Sequence, residues 1–139
     1  MKKILAIDYG ERRIGIALSD EKHTFAFPFL TIDAKQQPDY MREIAHIIIK
    51  EGVGKILVGL PVGPAGKETA KAKKIRRFAS KLSEYVSIPI VFWDESYTTQ
   101  KAQSILHLQE QSLKDQKEKL DMIAAALLLE DFLQTNPYE

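Results

Sequence analysis

Two apolar runs of strand length, Lys3–Tyr9 and Arg13–Ser19, succeed each other across only Gly10-Glu11-Arg12. Three residues cannot carry the crossover that a parallel pair needs, so the runs are expected to pair as an antiparallel hairpin. Everything downstream has to be built onto that hairpin. The first run ends Ile4-Leu5-Ala6-Ile7-Asp8, which sets a carboxylate at the end of an otherwise apolar strand. A charge there is costly unless a cation, backbone N–H groups or a metal ion compensates it.

The remaining elements follow from periodicity and punctuation. A third strand is expected near 24–31, after the polar turn Asp20-Glu21-Lys22. Ile44, Ile47 and Ile48 recur at helical spacing, which predicts a helix capped by Asp39, running to Lys50 and ended by Gly52 and Gly54. Lys55–Gly59 reads as a short buried strand, followed by a Gly- and Pro-rich loop to Gly66. A second helix is expected over about 67–85, with Ala72, Ile75, Ala79, Leu82 and Val86 on its apolar side. A strand from Ile88 to Trp93, a helix from Thr98 or Thr99 to about Leu108, and a last helix over about 118–134 complete the chain. This order implies an α/β fold: a mixed five-stranded sheet, its first three strands antiparallel and the later two parallel to strand 1, flanked by helices. With 139 residues, 45% of them hydrophobic, residues 1–139 are expected to form a single domain.

Composition excludes several chemistries. There is no Cys, hence no disulfide, iron–sulfur cluster or thiol nucleophile. His23, His46 and His107 are scattered and form no ligand pattern. Gly59, Gly63 and Gly66 are not a Walker loop, because Lys67 is followed by Glu68. No segment approaches the roughly 18 apolar residues of a membrane span, and the apolar run after Lys2-Lys3 is too short for a signal peptide, so a cytoplasmic protein without membrane contact is expected. The formal charge of +1 hides an asymmetry: residues 67–81 carry seven basic residues and one acid, net +6, against −5 elsewhere. Lys73, Lys74, Arg77 and Lys81 share the polar side of the second helix and are the candidate nucleic-acid contacts.

Asp8 has candidate companions. Asp94 and Glu95 end the fifth strand, and ligands in open α/β sheets collect outside such strand ends. Alternation puts Glu95 on the face of Val91 and Trp93, and Asp94 on that of Phe92, so only one of the two can point toward Asp8. Asp121 opens a strongly apolar helix whose Ala124 and Ala125 keep the adjoining face small, which lets the helix approach the sheet. Glu130 and Asp131 point away from Asp121 by helical phase and read as solvated acids. Carboxylates from two strand ends and a helix suit the hard, oxygen-seeking ions Mg²⁺ and Mn²⁺. A pair of such ions is the usual clamp for phosphoryl displacement.

Taken together, Ile7-Asp8-Tyr9-Gly10, Ile14-Gly15-Ile16-Ala17-Leu18-Ser19-Asp20, Val58-Gly59-Leu60-Pro61 with Gly66, Trp93-Asp94-Glu95 with Thr98-Thr99, and Leu120-Asp121 with Ala124-Ala125 resemble the YqgF/RuvX family. These are small bacterial ribonuclease H-like proteins described as Holliday junction resolvases and as pre-16S rRNA processing nucleases. The resemblance spans almost the entire chain. It implies a ribonuclease H-like sheet, a metal site on Asp8, Glu95 and Asp121 holding two Mg²⁺ or Mn²⁺ ions, and hydrolysis of phosphodiester bonds at the 5′ end of pre-16S rRNA. Branched DNA is the alternative substrate, and either a monomer or a homodimer is compatible with it. Two departures stand out: Ser96 follows Glu95 where the family often has Arg, and Val62-Gly63-Pro64-Ala65 replaces a loop that often carries Asn and an acidic turn. Those departures favour a third reading, a non-catalytic RNA-binding ribosome assembly factor. Asp8-Tyr9-Gly10 with Gly15 is also similar to the first phosphate motif of actin- and hexokinase-like proteins, but those need two related domains and this chain has room for one.

Overall fold

The computed structural model describes residues 2–61, 67–95 and 113–135. Strands β1 (Lys3–Tyr9), β2 (Arg13–Ser19) and β3 (Ala26–Asp33) are followed by α1 (Tyr40–Glu51), β4 (Val53–Leu60), α2 (Ala70–Leu82), β5 (Ile90–Asp94) and α3 (Leu113–Thr135). The five strands form one sheet in the order β3-β2-β1-β4-β5. β1 pairs antiparallel with β2 and β2 with β3, while β4 runs parallel to β1 and β5 parallel to β4. The hairpin and the mixed sheet therefore stand as the sequence predicts.

β1 lies at the centre, and its alternation divides the molecule. Leu5 and Ile7 join Ile14, Ile16, Ile56 and Val58 in a core covered by α1 and α2. Ile4 and Ala6 join Ala17 and Leu57 in a second core covered by α3. Both faces of the central strand are thus buried, and Leu5, Ala6 and Ile7 are fully excluded from water. Burial on this scale, at about 25 cal/mol per Å² of apolar surface, is what holds the layers together.

The observed boundaries depart from expectation where local turn chemistry acts. β3 begins two residues later than predicted, because Asp20 Oδ1 accepts hydrogen bonds from the N–H groups of Thr24 and Phe25 and holds residues 20–25 in a turn. Asp39 does not cap α1 with its side chain; its carbonyl instead accepts from Arg42 and Glu43. Gly52 closes α1 in the left-handed conformation, φ 67°, with its N–H on the Ile48 carbonyl. β4 is longer than Lys55–Gly59, since Val53 and Gly54 already run beside β1 and pairing extends to Leu60. α2 is shorter than expected: Thr69 starts it by accepting from the Ala72 N–H at 3.1 Å, and it stops at Leu82, so Val86 lies beyond its end. β5 is displaced by a residue or two, and Pro89 stays outside it. α3 starts earlier, at Leu113, in a stretch rich in Lys, Gln and Glu, all good helix formers. The expected helix from Thr98 or Thr99 to Leu108 and the 62–65 loop lie outside the described residues.

Candidate active site

Asp8 is the penultimate residue of β1, and its side chain emerges on the α3 face, in phase with Ile4 and Ala6. Its two neighbours across the sheet are side-chainless or nearly so. Gly15 of β2 is its direct antiparallel partner. Gly59 of β4 follows Val58, the parallel partner of Ile7. Asp8 therefore stands in a trough crossing three strands.

Each glycine admits one further acid. A Cβ at Gly15 would lie 2.1 Å from the Asp121 carbonyl oxygen and 2.9 Å from the Met122 nitrogen, so the backbone of α3 rests directly on β2 at that point. The close approach inferred from Ala124 and Ala125 is present, and both residues are buried. A Cβ at Gly59 would lie 2.7 Å from Glu95 Oε2 and 3.2 Å from Glu95 Cβ, so the Glu95 side chain folds back over β4. Val91 and Trp93 pack in the α3 core and Phe92 against the other. That phase puts Glu95 on the Asp8 face. Asp94, exposed at the strand end, belongs to the opposite phase.

The electrostatics follow from this crowding. Burial pushes the Asp8 carboxyl up to about 7, helped by the Glu95 charge, a hydrogen bond to Glu95 and the Asp121 charge, and opposed by Lys71. Asp8 keeps a little solvent contact, but protein surrounds it on nearly every side. Burial also raises the Asp121 carboxyl; Arg13 opposes the rise and Glu118 adds to it. Two cations reach in. Arg13 Nε donates to Asp121 Oδ2 at 2.7 Å, and Lys71 Nζ sits 3.5 Å from Glu95 Oε1. Asp8 and Glu95 are hydrogen-bonded to each other, whereas Asp121 is turned to Arg13. Among the described residues no three acidic or imidazole side chains stand close enough together to hold an ion as a set.

Sequence reading did not connect Arg13 with Asp121 or Lys71 with Glu95. Alternation could have placed Arg13, which shares the Gly15 phase of β2; Lys71 is brought in only by tertiary packing of the first turn of α2. Glu130 and Asp131 are exposed, as expected, yet Asp131 is not merely solvated: its Oδ2 accepts from Trp93 Nε1 at 2.8 Å. Lys73, Lys74, Arg77 and Lys81 are all exposed on α2, and Lys74 pairs with Glu11.

A family model described as RuvX, Holliday junction resolvase, matches residues 2–135. The chain belongs to the RuvX family. RuvX relatives provisionally named pre-16S rRNA nuclease include one from Chloroflexus aurantiacus, 35% identical over 137 residues, covering 96% of this chain and 90% of the relative. Another, from Maridesulfovibrio salexigens, is 37% identical over 133 residues, with 94% and 97% covered. Among solved structures, Thermus thermophilus RuvC aligns with a TM-score of 0.57 at 13% identity, over 97% of this chain and 96% of that one. The fowlpox virus resolvase, solved with Holliday junction DNA, aligns with a TM-score of 0.60 at 15% identity, over 96% and 97%. These structural likenesses establish the ribonuclease H-like fold of this RuvX protein.

Proposed function

We propose that this RuvX protein is a metal-dependent nuclease that hydrolyses phosphodiester bonds at the 5′ end of pre-16S rRNA in the cytoplasm, the whole chain acting as one domain. The observation that carries this reading is the Asp8–Glu95 pair: two carboxyls in hydrogen-bond contact in a crowded trough, one raised to about 7 by burial and by its neighbour. Two acids held so close disfavour joint ionisation unless a cation joins them. An oxygen-only donor set, with no Cys in the chain, fits Mg²⁺ or Mn²⁺. Asp8 and Glu95 would hold such ions, and Asp121 would complete the set once released from Arg13. When bound, divalent ions supply positive charge against the phosphoryl oxygens and lower the pKa of the attacking water.

The chain's own residues do the rest. Lys71 screens Glu95 from the incoming negative phosphate, and Arg13 opposes the burial-driven rise of the Asp121 carboxyl and orients it at the rim. Lys73, Lys74, Arg77 and Lys81 hold flanking phosphates, fixing register without reading bases. No helix among the described residues is long and apolar enough to cross a membrane, which is compatible with action on a soluble polyanion.

A four-way DNA junction is the second reading, favoured by the family description and by resolvases among the fold neighbours. Purified protein with Mg²⁺ or Mn²⁺, offered a 16S precursor fragment and a four-way junction in parallel, decides between them, with Asp8→Asn as control. Cleavage that survives Asp8→Asn would remove the acid site from the reaction. Metal-independent RNA binding with no cleavage of either substrate would point instead to an assembly factor.

A further inference from the structure

Tyr9 follows Asp8 on β1 and therefore emerges on the opposite face of the sheet. There it floors, with Tyr40 and Phe78, a depression of about 430 Å³ rimmed by Lys74, Arg77 and Lys81. That volume lies within the range of small-molecule sites. Tyr9 stacks on Phe78 with ring centroids 4.3 Å apart and planes 23° apart, and Tyr40 lies 6.4 Å from Phe78 at 30°. Burial raises the Tyr9 hydroxyl above its ordinary value, and Tyr40 beside it adds to the rise. Phe78 is buried in the core, but both tyrosines remain partly open to the depression. The rim cations stand at i, i+3 and i+7 on one flank of α2. Glu11 neutralises Lys74. Among the described residues Arg77 and Lys81 have no carboxylate partner, which leaves the depression with a net charge of +2.

Folding does not require cations around half-open tyrosines. A nucleotide offers what such a site takes: a π-face for the rings and a phosphate for the guanidinium and ammonium groups. A duplex keeps its bases stacked and paired, so only an unpaired base can enter. We propose that this depression receives one unpaired base of a single strand passing over the end of β1, stacked on Tyr40 with its phosphate on Arg77 and Lys81. The proposal rests on the nuclease reading and deepens it: the acid trough and the base slot sit on opposite faces of one strand end. A single-stranded segment therefore lies beside the phosphodiester offered to Asp8.

The test uses the full chain in EDTA, so that binding is measured without cleavage. The probes are a 5′-phosphorylated oligouridine with one 2-aminopurine, its deoxythymidine counterpart, and each of these annealed to its complement. Stacking should quench 2-aminopurine in the single strands and not in the duplexes; the ribose and deoxyribose arms show which single strand is preferred. Tyr40→Ala should weaken single-strand binding about 5- to 150-fold, the range that loss of one base stack gives. Tyr40→Phe should stay within about two-fold, because stacking needs the ring and not the hydroxyl. Arg77→Gln, which keeps the rings intact if Tyr40→Ala misfolds, should lower the single-strand salt slope by roughly 0.7, the value for one phosphate contact. Equal quenching of single strands and duplexes, or an Arg77→Gln slope unchanged from wild type, overturns the proposal. Since no arm depends on cleavage, failure of the nuclease reading would appear separately, as inactivity with Mn²⁺.

Discussion

Asp8→Asn is a perturbation with opposite effects on stability and activity. The Asp8 carboxyl titrates near 7 in the folded protein against 3.8 in an ordinary environment. Below pH 3.8 both folded and unfolded chains hold the proton, and the burial of Asp8 carries no ionisation penalty. Between about 4 and 7 the unfolded chain has lost the proton and the folded chain retains it, so stability falls as pH rises. Each unit of difference is worth about 1.4 kcal/mol, so the full loss above pH 7 is about 4 kcal/mol. Asparagine is neutral throughout, and its amide can donate to Glu95 as protonated Asp8 does. The variant should therefore match the wild type near pH 4, gain on it through pH 5 and 6, and exceed it by about 4 kcal/mol at pH 8. For a chain of this size that corresponds to a rise in Tm on the order of 10 °C. Urea unfolding in EDTA at pH 4, 6 and 8 measures the difference directly. Mn²⁺ at pH 8 should shrink it, because an ion that binds Asp8 stabilises only the wild type. A gap that does not vary with pH, or a variant less stable than the wild type at pH 8, would refute the account of the trough.

The two glycines should separate packing from chemistry. Gly15→Ala drives a Cβ into α3 backbone, which cannot yield locally, so a loss of about 3 kcal/mol in urea unfolding is expected. A Cβ at Gly59 meets Glu95 Oε2 at 2.7 Å and Leu128 Cδ2 at 3.1 Å, both side-chain ends that can shift; Gly59→Ala should change stability by about 1 kcal/mol or less, while cleavage falls on the order of 100-fold because Glu95 is displaced. Arg13→Gln removes the charged partner of Asp121, so the metal-free protein should lose about 1–2 kcal/mol, and Mn²⁺ titrated by calorimetry should bind more tightly with that competitor gone. Lys73→Gln should weaken RNA binding equally across sequences and lower the salt slope by about 1 if Lys73 holds a phosphate.

What could be read from the sequence depended on how local its cause was. The hairpin follows from a three-residue connection, and the parallel strands from the helices between them; both needed only neighbouring residues. The β3 boundary slipped because one Asp20 oxygen organises the turn before it, an effect that hydrophobic periodicity does not register. Alternation narrowed the fifth-strand acids to one without saying which face carried Asp8. Choosing Glu95 took either the family resemblance or the observed packing of Val91 and Trp93 against α3. Gly15 and Gly59 were visible as residues, yet their roles arise from what crosses them: a helix more than a hundred positions later and a side chain from the next strand. The pairings of Arg13 and Lys71 stayed hidden for the same reason, since their partners are brought together only by the assembled layers.

The layers also explain how a single strand end can serve two purposes. Successive residues of β1 point to opposite faces, so Asp8 and Tyr9 are neighbours in the chain but face α3 and the α1/α2 layer respectively. α2 packs on the Tyr9 side, yet its first turn lies at the sheet's carboxyl edge, close enough for Lys71 to reach Glu95. About one, two and three turns further on, the same helix presents Lys74, Arg77 and Lys81 to the depression beside Tyr9. Basic side chains thus run along one helix from the acid trough to the tyrosines, with Lys71 paired to Glu95, Lys74 to Glu11, and Arg77 and Lys81 without a carboxylate partner among the described residues. On the proposed reading, a polyanion drawn to α2 would meet both faces of the β1 end, and a strand buried on both sides fixes the spacing between them. Lys71 and the cations beside Tyr9 share one helix, so the position of α2 sets both the Lys71–Glu95 contact and the lining of the depression.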